Sequence, residues 1–466
     1  MLQTRIILRY SGSVCASAFR KKCSNTEANT YAKKKILYGD LFPNNMLTKK
    51  HKTPDALYIA NEKAAQIIME AIEPHLVGIK YNTLLEVNPG LGLLTRYLLE
   101  REEFKKIILV ESKDHFMRGL QELLPIYRDK IELTYGDMIS LWKLAYQDKQ
   151  DNGTRVADLL QTVPRRKHDD DPNMMIIAAS GAYNFYKHFI NSLIFQTSLL
   201  TIGRPEMFLI IPPPIYIHLT CNNEVGYLIY RSTSILFQIL FEYRFITAIP
   251  RNFFLPAQSG FNILKNSKLA RVTSINPDHL YLVKIVPRRN LYKLIAMEDL
   301  PALWYFIKQN CVSRRNRVIP NLEKWIPGCG PRLLINKEKC KGAQQLYPDE
   351  DLKKLPKFSK PCTSMTGKDF LPDMHIFTQF GDLNPSQMLT LFRQFRSWPE
   401  YSESSFLASL ENSLLKIETS ADDSINVIVD EDDSVSGDVA EIRNTLQKAM
   451  QKEESDKLKE DKASSS

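Results

Sequence analysis

The chain has 466 residues, 44% of them hydrophobic and 25% charged, with a net charge of +9. That length accommodates two domains plus flexible ends, and the apolar fraction is enough for a sizeable core. No stretch approaches the ~20 uninterrupted apolar residues of a membrane helix; the nearest, 227–249, is broken by Arg231, Glu242 and Arg244, so no membrane insertion is expected.

The charge is uneven. Residues 403–466 hold 16 acidic and 7 basic residues, a net of −9, which leaves +18 on the other 402. A basic body with an acidic tail points to an anionic partner, most often nucleic acid. Seven cysteines, Cys15, Cys23, Cys221, Cys311, Cys329, Cys340 and Cys362, form no C-x-x-C pair. The odd number and the spacing argue against a disulfide framework or a zinc site, and a reducing compartment fits.

In chain order, residues 1–25 contain Arg5, Arg9, Arg20, Lys21 and Lys22 with several Ser and Thr, and the first acid is Glu27. That is the pattern of a mitochondrial import presequence. Residues 26–53 form a basic linker with Lys33-Lys34-Lys35 and Lys49-Lys50. Residues 55–75 read as a helix, with apolar positions at Ala60, Ala64, Ile67, Ile68 and Ile72. Five short apolar runs follow, at 83–88, 106–111, 131–135, 174–179 and 206–212. They are too continuous for half-exposed strands and suit a parallel sheet covered on both faces. Runs at 241–248 and 279–286 would make it seven-stranded. Between 140 and 172, Arg165-Arg166-Lys167 precedes Asp169-Asp170-Asp171, which reads as an exposed charged insertion. From about 289 to 402 the pattern is helical. Asn384-Pro385 has the form of a helix start, followed by an apolar stripe of Met388, Leu389, Phe392 and Phe395. The tail, 403–466, is Ser-rich, acidic and expected to be largely disordered.

The strongest chemical signal is Leu84-Leu85-Glu86-Val87-Asn88-Pro89-Gly90-Leu91-Gly92 running into Thr95. A strand ends in a turn with two glycines and enters a helix, at the switch point where such sheets bind ligands. A second strand ends in Glu111, 25 residues after Glu86. A carboxylate there can hold the two hydroxyls of a ribose. A third is followed by Gly136-Asp137, where an Asp can accept from an adenine amine. Both acids could instead cap helices.

Taken together, Glu-x-x-x-Gly-x-Gly-x-Leu-Thr, the strand-end acid and Gly-Asp resemble the ribosomal-RNA adenine dimethyltransferase family over about residues 54–290. The segment Ile249-Pro250-Arg251-Asn252-Phe253-Phe254-Leu255-Pro256 is similar to another of its motifs. The resemblance implies a class I S-adenosylmethionine (SAM)-dependent methyltransferase fold, α/β with a seven-stranded, mostly parallel sheet over 54–288, and a smaller helical C-terminal domain. It implies SAM as cofactor, with Ile59, Glu86, Asn88, Gly90, Gly92, Glu111 and Asp137 around it. The family's first turn glycine is Asn88 here. Its catalytic Asn-Leu-Pro-Tyr/Phe stretch, whose Asn accepts from the adenine amine and whose aromatic stacks on the extruded base, reads Ser180-Gly181-Ala182-Tyr183. Ser180 and Tyr183 are thus the catalytic positions of a degraded motif. Losing a positioned acceptor costs about 10²–10³ in rate, so methyl transfer is expected to be weak or absent.

The Asn-Pro-Gly variant is similar to the family's mitochondrial transcription factor B branch, and to its second paralogue group. So are Val318-Ile319-Pro320-Asn321-Leu322-Glu323-Lys324-Trp325 and Phe377-Thr378-Gln379-Phe380-Gly381-Asp382-Leu383. That resemblance implies transcription initiation in the mitochondrial matrix nucleoid, with the mitochondrial RNA polymerase and promoter DNA as partners and the mitochondrial HMG-box transcription factor as a further candidate. The rival expectation is an active dimethyltransferase acting on small-subunit rRNA. A third is a ribosome-assembly binder. Arg288-Arg289 and Arg314, Arg315 and Arg317 are the candidate nucleic-acid residues, since cations track phosphates. Trp304, Tyr305 and Phe306 beside them read as a buried stripe rather than a base-stacking platform.

Overall fold

The structure is a computed structural model and describes residues 41–48, 54–223, 229–257, 278–335 and 374–419. The expected presequence, most of the basic linker and the tail beyond 419 lie outside the described residues.

Each expected strand forms, within two residues of its expected ends. The strands are β1 (Tyr58–Ile59), β2 (Thr83–Val87), β3 (Lys106–Glu111), β4 (Ile131–Tyr135), β5 (Met175–Ala179), β6 (Glu206–Ile211), β7 (Phe241–Pro250), β8 (Phe254–Leu255) and β9 (His279–Pro287). Seven of them make one sheet in the order β4-β3-β2-β5-β6-β9-β7. The first five run parallel, and β9 inserts antiparallel to both β6 and β7. Strand residues alternate between faces, so the sheet feeds two cores. Leu85, Val87, Ile108 and Val110 pack into one, and Leu84, Ile107 and Leu109 into the other. Fully burying such a side chain contributes about 1.5–3 kcal/mol, which is why these runs carry no polar face. This is a class I methyltransferase sheet with a helical C-terminal region, as the sequence implies.

The helices that matter for the site are α1 (Glu62–Leu76), α2 (Leu93–Leu99), α3 (Asp114–Gln121), α4 (Leu141–Asp151), α5 (Arg155–Leu159), α6 (Tyr183–Ile194), α7 (Pro213–Thr220) and α8 (Ser232–Leu240). The C-terminal region adds α9 (Leu300–Asn310), α10 (Val318–Glu323), α11 (Pro385–Ser397) and α12 (Ser405–Thr419). Its core is aromatic: Trp304, Tyr305 and Phe306 are buried, and the Phe306 ring lies 5.4 Å from both Phe392 and Phe395. Asn384 caps α11 as expected, accepting from the Gln387 amide while the Gln387 side chain accepts from the Asn384 N–H. The core on the α8 side of the sheet continues into this region without a break, through α8 packed on α9 and α11.

Four expectations change. The helix read over 55–75 starts at Glu62, capped by Asn61; the residues before it form β1, because Tyr58 and Ile59 pair with Leu255 and Phe254 across the chain. The 140–172 insertion is not simply exposed: α4 and α5 tuck Leu141, Leu159, Leu160 and Val163 into the core, and Arg155 locks them together through Asp148 and Asp151. Order also continues past 402, since α12 buries Phe406 and Leu410 against α9. Part of the basic linker is folded too: a short helix, Asn44–Thr48, buries Phe42 and Met46.

Candidate active site

The turn after β2 needs left-handed backbone at three places, Asn88 (φ 53°), Gly90 (φ 60°) and Gly92 (φ 68°). Asn tolerates this region better than other side chains, which explains why it can replace a glycine at 88. Its backbone N–H donates to Val110 O at 2.8 Å. Its side-chain amide is buried, and neither Oδ1 nor Nδ2 has a hydrogen-bond partner among the described residues. It is the polar group in this turn that a ligand could still satisfy.

Glu111 sits at the end of β3 as expected and is fully buried. Its Oε2 accepts from the Gly90 N–H at 3.0 Å. Its Oε1 accepts from the N–H groups of Ser112 and Lys113, both at 2.9 Å, and faces the Tyr58 hydroxyl, which donates at 3.4 Å. Burial raises its pKa; the backbone donors and the Tyr58 hydroxyl oppose that. Tyr58 is 1% exposed, packs its ring 4.9 Å from Phe116, and touches the turn so closely that a Cβ added at Gly90 would lie 2.9 Å from its Cδ1. Phe42, Met46 and Leu255 close over this pair.

The other expected cofactor residues divide. Glu86 is buried and accepts from the Thr95 hydroxyl at 2.7 Å; burial pushes its carboxyl up to about 7. It braces the turn against α2. Asp137, half-buried, accepts through Oδ1 from the N–H groups of Ile139 and Ser140, and so caps the turn leading into α4. Ile59 follows Tyr58 on β1 and packs into the opposite core; from this segment it is Tyr58 that meets Glu111. The residue types therefore suit an adenosine cofactor, whereas the space beside Glu111 is taken by the protein itself.

The loop after β5 is sealed as well. Ser180 is fully buried: its Oγ donates to Asp55 O at 3.1 Å and accepts from the Ala182 N–H, and its carbonyl accepts from the Tyr186 hydroxyl. The Gly181 N–H donates to Asp55 O at 2.9 Å, and a Cβ at 181 would run into Pro54 O. Residues 54–57 thus lie across the loop where the family's target base is implied to be held. Tyr183 starts α6 half-buried, its ring edge-on to His218 and under the Lys187 ammonium.

Among the arginines, Arg288 is structural. It is 3% exposed and donates to the carbonyls of Gln238, Ile239 and Phe241, where α8 turns into β7; it is not a surface for nucleic acid. Arg289 is exposed, donating to Asp169 O with Asp171 nearby at 3.9 Å. Arg315 and Arg317 are exposed and Arg314 half-buried. The two C-terminal stretches that carry the paralogue resemblance meet here: Arg317 bridges Gln379, Val318 N donates to Thr378 O, and the Arg317 guanidinium lies 4.9 Å over the exposed Phe377 ring. A basic feature not singled out from sequence is a groove of about 390 Å³ lined by Arg165, Arg166, Lys167, His168, Gln196 and Tyr292. The Arg165-Arg166-Lys167 run was visible; what sequence could not show was the Tyr292 side of the groove.

The family profile described as ribosomal RNA adenine dimethylase matches residues 48–332. This chain belongs to that family. It is 57% identical over 403 residues to a Drosophila melanogaster protein named dimethyladenosine transferase 2, mitochondrial, covering 86% of this chain and 89% of that one. A Bos taurus protein of the same name is 23% identical over 318 residues, 65% of this chain and 77% of the other. Among solved structures, a dimethyladenosine transferase from Plasmodium falciparum is similar at 14% identity and a TM-score of 0.40, over 71% of this chain and 95% of that one.

Proposed function

We propose that this member of the rRNA adenine dimethylase family is a mitochondrial transcription initiation factor that binds promoter DNA with the mitochondrial RNA polymerase and helps it melt the start site. The observation that carries the reading is the sealed loop at Ser180. Where the family's Asn would accept from an adenine amine, the Ser180 hydroxyl is fully buried, donates to Asp55 O and already accepts from the Ala182 N–H. What the fold keeps is a basic body, +18 outside the acidic tail, with cations on two surfaces, the Arg165–Lys167 groove and the Arg315/Arg317/Phe377 platform. Such charges bind phosphates by counterion release, and an exposed aromatic beside an arginine stacks on unpaired bases. The name carried by the Drosophila and Bos taurus relatives and the Arg-rich start support a mitochondrial location.

The second reading, an active dimethyltransferase on small-subunit rRNA, is favoured by family membership and by Glu111, Asp137 and Tyr183 keeping their places in the fold. Run-off transcription with the cognate mitochondrial RNA polymerase separates the two. On a closed promoter, product should depend strongly on this protein, and pre-melting the start site should relieve that dependence. Equal product with and without it on both templates would remove the initiation reading.

A further inference from the structure

We infer that the nucleoside pocket of this methyltransferase fold is occupied by the chain's own Tyr58, with residues 41–48 closed over it, so that SAM is not a resident cofactor of this protein. Four donors face the carboxylate of Glu111: the Ser112 and Lys113 N–H groups and the Tyr58 hydroxyl crowd Oε1, which has two lone pairs, and the Gly90 N–H donates to Oε2. The phenol hydroxyl donates to the strand-end carboxylate as a ribose hydroxyl would. Its ring fills the space against the glycine turn, touching the backbone at Gly90 that a cofactor would have to approach. Glu111, Tyr58 and Phe116 are 0%, 1% and 2% exposed, so the acid and the two rings beside it are closed off from solvent.

The occupant is anchored rather than merely resting there. Tyr58 pairs with Leu255 across β1 and β8, Leu57 N donates to Ala179 O, and Ala60 N to Phe253 O. Swinging the ring out would disturb strand pairings on both sides of it. Over it, Phe42 packs edge-on against Phe116 with ring centroids 5.6 Å apart, and Leu41 O bonds His115 Nε2 at 2.8 Å. A ligand that must first displace these contacts binds with an affinity reduced by the rarity of the open state. The inference stands apart from the promoter reading, because its test contains neither polymerase nor DNA.

The test is calorimetric titration of S-adenosylhomocysteine into the full chain as wild type, Tyr58→Phe, Tyr58→Ala and the double variant Tyr58→Ala/Glu111→Gln. Tyr58→Phe keeps the ring and should bind as poorly as wild type. Tyr58→Ala should bind at least ~tenfold more tightly than wild type, and adding Glu111→Gln should return it to the wild-type level. Wild-type affinity within ~threefold of Tyr58→Ala, at whatever level, would overturn the inference. If Tyr58→Ala does not fold, hydrogen exchange on the wild type decides: the Gly90, Ser112 and Lys113 amides should exchange at the same rate with and without ~1 mM S-adenosylhomocysteine. Slowing of those amides by the ligand would overturn it equally.

Discussion

Burial pushes the carboxyl of Glu86 up to about 7, against an ordinary value of 4.5. The sign of its effect on stability follows from linkage. The folded-state pKa is raised, so the contribution is fully present below the ordinary value and is lost as pH rises through about 7. Each pH unit between those two values is worth about 1.4 kcal/mol, so the loss between acid and mildly alkaline pH is on the order of 3 kcal/mol. Glu86→Gln removes the titration, so its stability relative to wild type should rise between pH 4.5 and pH 8. Chemical denaturation at both ends of that range checks this, and a difference that stays flat contradicts it. Ser180 gives the second residue-scale prediction. Restoring the family's Asn there places a larger side chain in a fully buried site facing Asp55 O and the Ala182 N–H. Overpacking of this kind costs about 1–3 kcal/mol. Ser180→Asn should therefore unfold at lower denaturant and gain no methyl transfer, and recovery of transfer would show that the loop opens.

At the scale of elements, adjacent arginines have opposite fates. Arg288 follows β9 and turns inward to where α8 meets β7, where three carbonyls take its guanidinium; Arg289 turns outward. Arg288→Ala should destabilise the fold, because three carbonyls lose a charged donor, and should leave the salt dependence of nucleic-acid binding unchanged. Arg165→Ala with Lys167→Ala should do the reverse, weakening binding and lowering the slope of log K against log salt by about 1 per lost phosphate contact. Filter binding across a salt series, beside denaturation curves, measures both. The same contrast shows what the sequence could tell. The sheet was legible because strands covered on both faces are continuous apolar runs, and Glu111 was legible because it ends one. The capped start of α11 was legible from Asn384-Pro385 alone. Arg288 was not, since one doublet carries an inward and an outward residue with no pattern to separate them. Tyr58 was not, since its place is set by pairing with Leu255, far along the chain, and by Phe116 and Phe42 closing round it. The start of α1 was misread for the same reason: local periodicity was overridden by a long-range strand pair.

On the scale of the whole molecule, one core runs from the sheet through α8 into the aromatic cluster of α9, α11 and α12, so the helical region is built on the methyltransferase-like sheet. The sheet, the glycine turn and the strand-end acid persist, while the place beside Glu111 is filled by Tyr58 under residues 41–48 and the loop at Ser180 is crossed by residues 54–57. Arg165, Lys167, Arg289, Arg315 and Arg317 stay exposed. On the function proposed above, the fold serves as a scaffold and its surface carries the activity. The most direct test of that claim is transfer of labelled methyl groups from SAM to a small-subunit rRNA hairpin by the full chain. The account predicts no transfer above background, with or without the Ser180→Asn change. Dimethylation of the hairpin by the wild-type chain at ordinary enzyme rates, about 1 per second or faster, would contradict it.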